Sequence, residues 1–427
     1  LDRVGHALHT AGDTPAKVAV LSVDLDRFKL VNASLGYRTG DVILAAAAAR
    51  LAAVLDPADT LTRSGGDGFV VCRPDAGDSR AAEGLAAQLL QCLVEPFTAA
   101  GTAVTLTASA GIARGRRGAS PEDLVRDADT AMYSAKEAGG SRFRLIDDEL
   151  RIRSSERLSL EADLRLALAG GELHLVYQPV VNLLTGQMTG AEALLRWTHA
   201  TRGAVSPLTF IPVAENAGLI GPIGQFVLEQ ACRQAQAWNA AGHRLRIAVN
   251  VSGLQLHDAG FVAQVAAALH ATGLDASQLC LELTETTLMD DAMHASDVLH
   301  ELKDVGVDLS VDDFGTGYSS LAYLKRFPVD ELKIDRCFVQ NVGDVGQDQM
   351  LVAAMVAMGH ALGLVVVAEG VETYAQMATL LTLGCRTAQG FLFSRPQSAD
   401  RISALLTSGL PVELQRAVRA HPVHTTS

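Results

Sequence analysis

The chain has 427 residues, a net charge of −13 and an apolar fraction of 48%. That length calls for at least two domains, and the composition is that of a globular protein able to bury a core in each. The acidic balance excludes a coat for a DNA or RNA duplex and a polybasic membrane patch, but not a small anionic ligand whose charge bound cations would offset.

In chain order, Lys17 to Asp24 reads as a buried strand ending in acid, and Asp41 to Leu55 as an alanine-rich helix. Thr60 to Arg73 reads as a hairpin turning at Ser64-Gly65-Gly66-Asp67-Gly68. A helix from Glu83 to Val94 and a strand from Thr102 to Ala113 follow. Ser120 and Pro121 mark an N-cap and first helical position, and that helix ends at Gly139-Gly140. A strand from Arg142 to Ile146 then leads into a charged amphipathic helix, Asp147 to Ala169. These elements predict an α+β domain with a central antiparallel sheet over 1–146 and a helical linker over 147–162.

From 163 to 410, apolar strand-like runs alternate with helical ones, which predicts a β/α (TIM-like) barrel, and 411–427 is a polar tail. Leu351 to Ala368 approaches the length of a membrane span, but Gly359, His360 and Gly363 divide it into helix, turn and strand. The six cysteines are scattered without a CxxC pair, which points to reduced buried thiols rather than a disulfide framework or a zinc site. The chain opens at Leu1, without methionine or a signal peptide. A cytoplasmic fragment of a longer protein is expected, with a sensor domain, and any membrane attachment, upstream.

The ends of the barrel strands carry the chemistry. Glu192 follows Met188–Ala191, Asn250 follows Leu245–Val249, and Glu282 follows Leu279–Leu281, with Glu285 three residues on. Asp312-Asp313 follow Asp308–Val311, Lys333 lies on a short strand, and Glu369 follows Leu364–Ala368, with Glu372 three residues later. Strand ends converge on one face of a barrel, so these residues would meet in one pocket. A lone acid after a strand is ordinarily a helix cap or a solvated loop residue, and Asp290, Asp291 and Asp304 are read that way. Several carboxylates in one pocket instead require cations. All-oxygen ligands suit magnesium or manganese, and adjacent aspartates suit a pair of ions, an arrangement used to hydrolyse phosphodiesters.

These residues resemble the EAL family of cyclic di-GMP phosphodiesterases over roughly Leu158 to Leu406. The resemblance rests on Tyr177-Gln178-Pro179, Glu192-Ala193-Leu194-Leu195-Arg196, Asn250-Val251-Ser252, Glu282-Leu283-Thr284-Glu285, Asp312-Asp313-Phe314-Gly315-Thr316-Gly317, Lys333-Ile334-Asp335, Glu369-Gly370-Val371-Glu372 and Gln389-Gly390-Phe391. It implies a first Mg2+ or Mn2+ ion on Glu192, Asn250, Glu282 and Asp312, and a second on Asp312 and Asp313 near Glu369. It also implies that Lys333 and Glu369 orient and deprotonate the attacking water, and that Gln178, Arg196 and Gln389 contact substrate. Glu285 and Glu372 would support the loop after Asp313. The product would be linear pGpG, from a barrel with one reversed strand that forms homodimers through this domain.

The first 146 residues resemble the GGDEF diguanylate cyclases through Asp24-Leu25-Asp26, Asn32, Gly40-Asp41, Gly65-Gly66-Asp67 and Ala131 to Lys136. That resemblance implies a GTP site at Asp24, Asn32, Asp41, Gly65, Gly66, Asp67 and Lys136. Four departures weaken it, the first being that an early Thr-Gly-Leu-Pro-Asn-Arg-like segment is absent. Gly68 replaces the signature glutamate, Gly140 stands where an arginine is expected, and Asp56 replaces the arginine three before Asp59 in the inhibitory product site. The expectation is a phosphodiesterase behind an inactive cyclase domain that binds GTP or serves as a scaffold. The alternatives are a bifunctional enzyme and a non-catalytic cyclic di-GMP receptor.

Overall fold

The computed structural model describes residues 1–99, 101–316, 324–343 and 346–409, with the side chains of Ser154 and Asp290 excepted. The polar tail 411–427 and Gly317 to Ser320 of the loop after Asp313 lie outside the described residues. The chain divides into two units, Leu1–Ser159 and Leu160 onward, and the helix Asp148–Gly170 runs across that boundary.

In the first unit, β1 (Ala19–Leu25), β2 (Thr60–Gly65), β3 (Gly68–Arg73), β6 (Ala108–Arg114) and β7 (Phe143–Leu145) form one sheet in the order β2-β3-β1-β6-β7. Its pairs are antiparallel except β6 with β7. The α+β expectation holds. The reading of Thr102 to Ala113 as one strand does not. Thr102–Val104 (β5) pairs with Phe97–Ala99 (β4) in a separate hairpin. The backbone between β5 and β6 is spent on Asp26, whose N–H donates to the Thr107 carbonyl. The helix expected from Glu83 starts earlier, at Ser79, because the Asp78 side chain accepts the Ala81 N–H at 3.0 Å. Ser120 and Asp123 form a capping box at the head of Pro121–Glu137.

In the second unit the strands are β8 (Leu173–Asn182), β9 (Gln187–His199), β10 (Gly203–Val205), β11 (Arg246–Asn250), β12 (Leu279–Thr284), β13 (Asp308–Phe314), β14 (Glu331–Ile334), β15 (Val365–Ala368) and β16 (Thr387–Gln389). Strands β9 and β11 to β16 pair in parallel, in chain order. Strand β8 runs antiparallel to both β9 and β16 and closes the sheet on itself. This is the expected barrel with one reversed strand; β10 extends the end of β9 as a hairpin. Central strands such as β12 and β14 are buried along almost their whole length, as parallel strands covered on both faces must be. Leu351 to Ala368 forms the end of the helix Gln347–Ala361, a turn and β15, and no helix among the described residues is long and apolar enough to cross a membrane. No disulfide links the cysteines; Cys72, Cys232, Cys280 and Cys385 are buried, whereas Cys337 is exposed, against the expectation of uniformly buried thiols.

Candidate active and metal-binding site

Side chains alternate across a strand, so β9, β12, β13 and β14 each turn every second residue into the barrel. That places Glu192, Glu282, Asp312 and Lys333 in one buried layer. Lys333 is 1% exposed and stands at its centre. Its Nζ lies 2.7 Å from Glu369 Oε1, 2.9 Å from Glu282 Oε2, 3.3 Å from Asp312 Oδ1 and 3.9 Å from Glu192 Oε2. The sequence placed a lysine in the pocket but did not show it ringed by four carboxylates.

Two amides hold Glu192 in place. Asn250 Nδ2 donates to its Oε1 at 2.6 Å and Gln389 Nε2 to its Oε2 at 2.5 Å. Gln389 also donates to Gln178 Oε1 at 3.1 Å, and Gln178 donates to the Ser394 carbonyl at 3.3 Å. Gln178 stands directly opposite Glu192 in the β8–β9 register, so the reversed strand itself delivers that amide. Gly390 lets the chain behind Gln389 pass close to Val371, because a Cβ there would sit 2.1 Å from the Val371 carbonyl oxygen.

Asp312, Asp313 and Glu369 bring ligand oxygens within 4.8 Å of one another, the only such group among the described residues. Asp313 takes a left-handed φ of 53°, and its N–H donates to Asp312 Oδ1 at 2.9 Å. Glu285 Oε2 accepts the Gly315 N–H at 2.9 Å, so it meets the loop after Asp313. Glu372 borders the cleft together with Glu192, Asp312 and Glu369, and its backbone N–H donates to Gln376 Oε1.

The electrostatics follow from burial and crowding. Burial pushes the Glu369 carboxyl up, against the pull of Lys333 and with the help of Asp312 and Glu192, to about 8. Burial likewise drives Glu282 well above the carboxylate range, beyond what Lys333 can offset. Burial would lift Glu192 too, but Lys333, Gln389 and Asn250 outweigh it and hold that carboxyl low. Asp313 is raised by burial and by its neighbours Asp312 and Asp335. Burial opposes the charge on Lys333, but Glu192, Glu282, Glu369 and Asp312 raise the ammonium far above its ordinary value. One ammonium cannot neutralise four buried carboxylates, and the donors are all oxygen. The set therefore fits hard divalent cations. Gln389 Oε1 is a buried acceptor without a hydrogen-bond partner among the described residues.

Arg196 lies in a neighbouring, more apolar cleft, with Asn250, Pro207, Ile211 and Glu215 on its walls. Several cleft residues had no role assigned from the sequence, although Asp335 and Phe391 lie within the matched motifs. Asp335 stands beside Asp313 and caps the short helix Arg336–Val339. Arg336 and Phe391 border the metal-side cleft, with the Arg395 guanidinium 4.2 Å above the Phe391 ring. Of the acids read as caps or solvated residues, Asp291 accepts the His294 N–H at a helix start and Asp304 is exposed.

In the first unit, Asp24 Oδ1 is paired with Lys136 Nζ at 2.5 Å. Burial raises the Asp24 carboxyl against the pull of Lys136, with Asp67 adding to the rise. Gly40 is needed beside Asn32, whose Oδ1 would be 2.0 Å from any Cβ there. Asp41 is exposed, and Gly65 and Gly66 have φ of 122° and 54°, a turn that favours glycine. Asp59 and Asp56 both pair with Arg73, whose Nε donates to Asp59 Oδ1 at 2.9 Å. The residue at 56 thus adds a second carboxylate to that cation, where the family pattern has an arginine.

Comparison with known proteins adds the following. Residues 161–396 match the EAL domain family, and residues 1–142 match the diguanylate cyclase, GGDEF domain family. The bifunctional diguanylate cyclase/cyclic di-GMP phosphodiesterase MucR of Pseudomonas aeruginosa is 43% identical over 94% of this chain and 59% of its own length. The cyclic di-GMP phosphodiesterase NbdA of the same organism is 40% identical over 89% of this chain and 48% of its own length. The chain thus spans about half to three fifths of these two relatives. The solved PaMucR phosphodiesterase in complex with c-di-GMP aligns with a TM-score of 0.56 and 49% identity, over 57% of this chain and 99% of that one. The EAL enzyme Bd1971 in its cAMP-bound form aligns with a TM-score of 0.57 and 31% identity, over 71% and 82%.

Proposed function

This chain belongs to the EAL domain family, with a GGDEF diguanylate cyclase domain ahead of the barrel, and from that membership we propose that its second unit hydrolyses cyclic di-GMP to linear pGpG. The observation that carries the proposal is the buried ring of Glu192, Glu282, Asp312 and Glu369 around Lys333, bordered by Asn250, Gln389 and Asp313. Glu192, Asn250, Glu282 and Asp312 would hold one Mg2+ or Mn2+ ion, and Asp312 and Asp313, near Glu369, a second. When bound, such ions polarise the scissile phosphate and make water a better nucleophile.

The chain's own groups do the rest. Glu369 accepts the proton of the attacking water, and Lys333 keeps that carboxylate oriented while offsetting charge that builds on the phosphate oxygens. A bond forms from the water oxygen to phosphorus, the bond to the ribose 3′ oxygen breaks, and that oxygen leaves as an alcohol with a proton drawn from solvent, which balances the proton that Glu369 takes from the attacking water. The product carries a 5′ phosphate at one end and a 3′ hydroxyl at the other. Gln178 and Gln389 fix the Glu192 side of the cleft, and Arg196 is suited to a phosphate oxygen. The apolar cleft beside Arg196 has the walls a purine base needs, and Glu215 within it can accept from a base N–H.

The first unit is assigned as an inactive cyclase domain that binds GTP and tunes the barrel. Support comes from Gly68, which leaves Asp24 without a second carboxylate on the facing strand, and from the retained Asn32, Asp41, Gly65, Gly66, Asp67 and Lys136. The reading further includes a homodimer through the barrel, an upstream sensor domain in the whole protein and action in the cytoplasm. A receptor that binds without cutting is disfavoured because the full ligand set is retained. Incubation with Mg2+ or Mn2+ and either cyclic di-GMP or GTP, followed by chromatography of the nucleotides, tests the two catalytic assignments. Intact cyclic di-GMP at saturating metal would overturn the phosphodiesterase, and cyclic dinucleotide made from GTP would overturn the inactive cyclase.

A further inference from the structure

Beneath the layer that holds Lys333, the barrel is not filled. A cavity of 260 Å3 occupies its lower half, bordered by Gly190, Ala248, Arg246 and Glu331, and reaching Lys333 and Glu282 from below. The room comes from small inward residues: Gly190 on β9 and Ala248 on β11 stand where larger side chains ordinarily pack a barrel layer. Half-exposed Val365 borders the cavity at the start of β15, the end away from Glu369.

The wall chemistry identifies the occupant. Arg246 Nη2 and Glu331 Oε2 are paired at 2.6 Å, and Lys333 and Glu282 at 2.9 Å, so the charged groups, set in a wall that also includes Val180, Ala191 and Val367, are close to neutral in sum. That disfavours a bound ion. Lys333 Nζ and Glu282 Oε2, which border the chamber, have ionic neighbours but no well-directed hydrogen bond among the described residues. Buried charged atoms without a well-directed hydrogen bond, facing a cavity of this size, are ordinarily satisfied by water.

We infer that this chamber is a water-filled port that hydrates Lys333 and Glu282 from the side opposite the substrate. The port supplies hydrogen bonds that the ring of carboxylates does not. It leaves the underside of the catalytic layer solvated while substrate covers the top.

Internal water is counted by magnetic relaxation dispersion, and the cavity is probed with xenon. The unaltered chain is expected to show long-lived internal waters and no xenon in the chamber. Ala248→Leu, which fills the chamber from a residue that is not itself a proposed metal ligand, is expected to lose those waters, while Ala248→Ser keeps them. Xenon binding in the chamber, or an unchanged water count in Ala248→Leu, would overturn the port. A second readout rests on the phosphodiesterase reading: Ala248→Leu is expected to lower kcat about tenfold at unchanged KM, with Ala248→Ser near the unaltered rate. An unaltered chain that turns over no cyclic di-GMP refutes that reading alone, and the water count still decides the port.

Discussion

Asp24 and Gly68 stand directly opposite each other on β1 and β3, and a Cβ built on Gly68 lies 3.8 Å from Asp24 Oδ2. The position that faces the first unit's strand-end acid is therefore within side-chain reach of it and carries no side chain. Gly68→Glu is expected to restore a second carboxylate there. The nearest obstacle is Ser64 Oγ at 2.7 Å from that Cβ, the end of a short side chain that can rotate. The variant should bind Mg2+-GTP at least about tenfold more tightly than the unaltered chain, roughly 1.4 kcal/mol. Isothermal titration measures this; equal affinity would show that Gly68 is not what limits the site.

Lys333→Met removes the ammonium from the ring of four carboxylates. In metal-free protein the remaining charges repel, and the loss of a buried ion-pair partner costs about 3–5 kcal/mol. Urea unfolding without metal should show that loss. Turnover at saturating Mn2+ should fall by roughly a thousandfold. A variant that stays near wild-type turnover would remove Lys333 from the mechanism.

The elevated Glu369 carboxyl sets a pH dependence. Its folded value of about 8 lies above the ordinary 4.5, so its proton stabilises the metal-free fold fully below about 4.5. That contribution is lost as the pH rises through about 8. A cation competes with the same proton, so its stabilising effect should grow over this interval. The Tm gained on adding Mn2+ is expected to be larger at alkaline pH than at mildly acidic pH. A gain that shrinks with rising pH would contradict the assignment of Glu369 to the metal pocket.

Gly390→Ala would place its Cβ 2.1 Å from the Val371 carbonyl oxygen and 2.3 Å from the Val371 nitrogen. Backbone cannot yield there as a flexible side chain would, so the cost should exceed about 3 kcal/mol. Because Gln389 is the preceding residue, its bond to Glu192 should be disturbed as well. Thermal unfolding and turnover should both fall, and an unperturbed Tm would show that the backbone accommodates the methyl group.

Much of the site could be read from the chain because a barrel converts sequence periodicity into proximity. Acids at the ends of successive strands must meet, and Glu192, Glu282, Asp312 and Glu369 do. Groups that depend on where a loop or helix turns were not readable in this way. Asp335 and Arg336 reach the cleft because the chain turns into a short helix after β14. Arg73 could not be assigned to Asp59 because the pairing spans 14 residues between different elements. The strand expected over Thr102 to Ala113 failed for a related reason. Its composition suits strand throughout, but hydrogen bonds to Asp26 interrupt it at Thr107.

The reversed strand that closes the barrel also dictates when the site can exist. Gln178 and Gln389 bond across the seam between β8 and β16, yet 211 residues separate them. On a ribosome adding about 5–20 residues per second, β8 waits roughly 10–40 s for the partner that completes its pairing. Until then its unpaired edge is open to other chains, and Glu192 lacks one of its two amides. Catalytic competence is thus a late event in synthesis, and a nascent chain stalled before β16 is a barrel with an open seam.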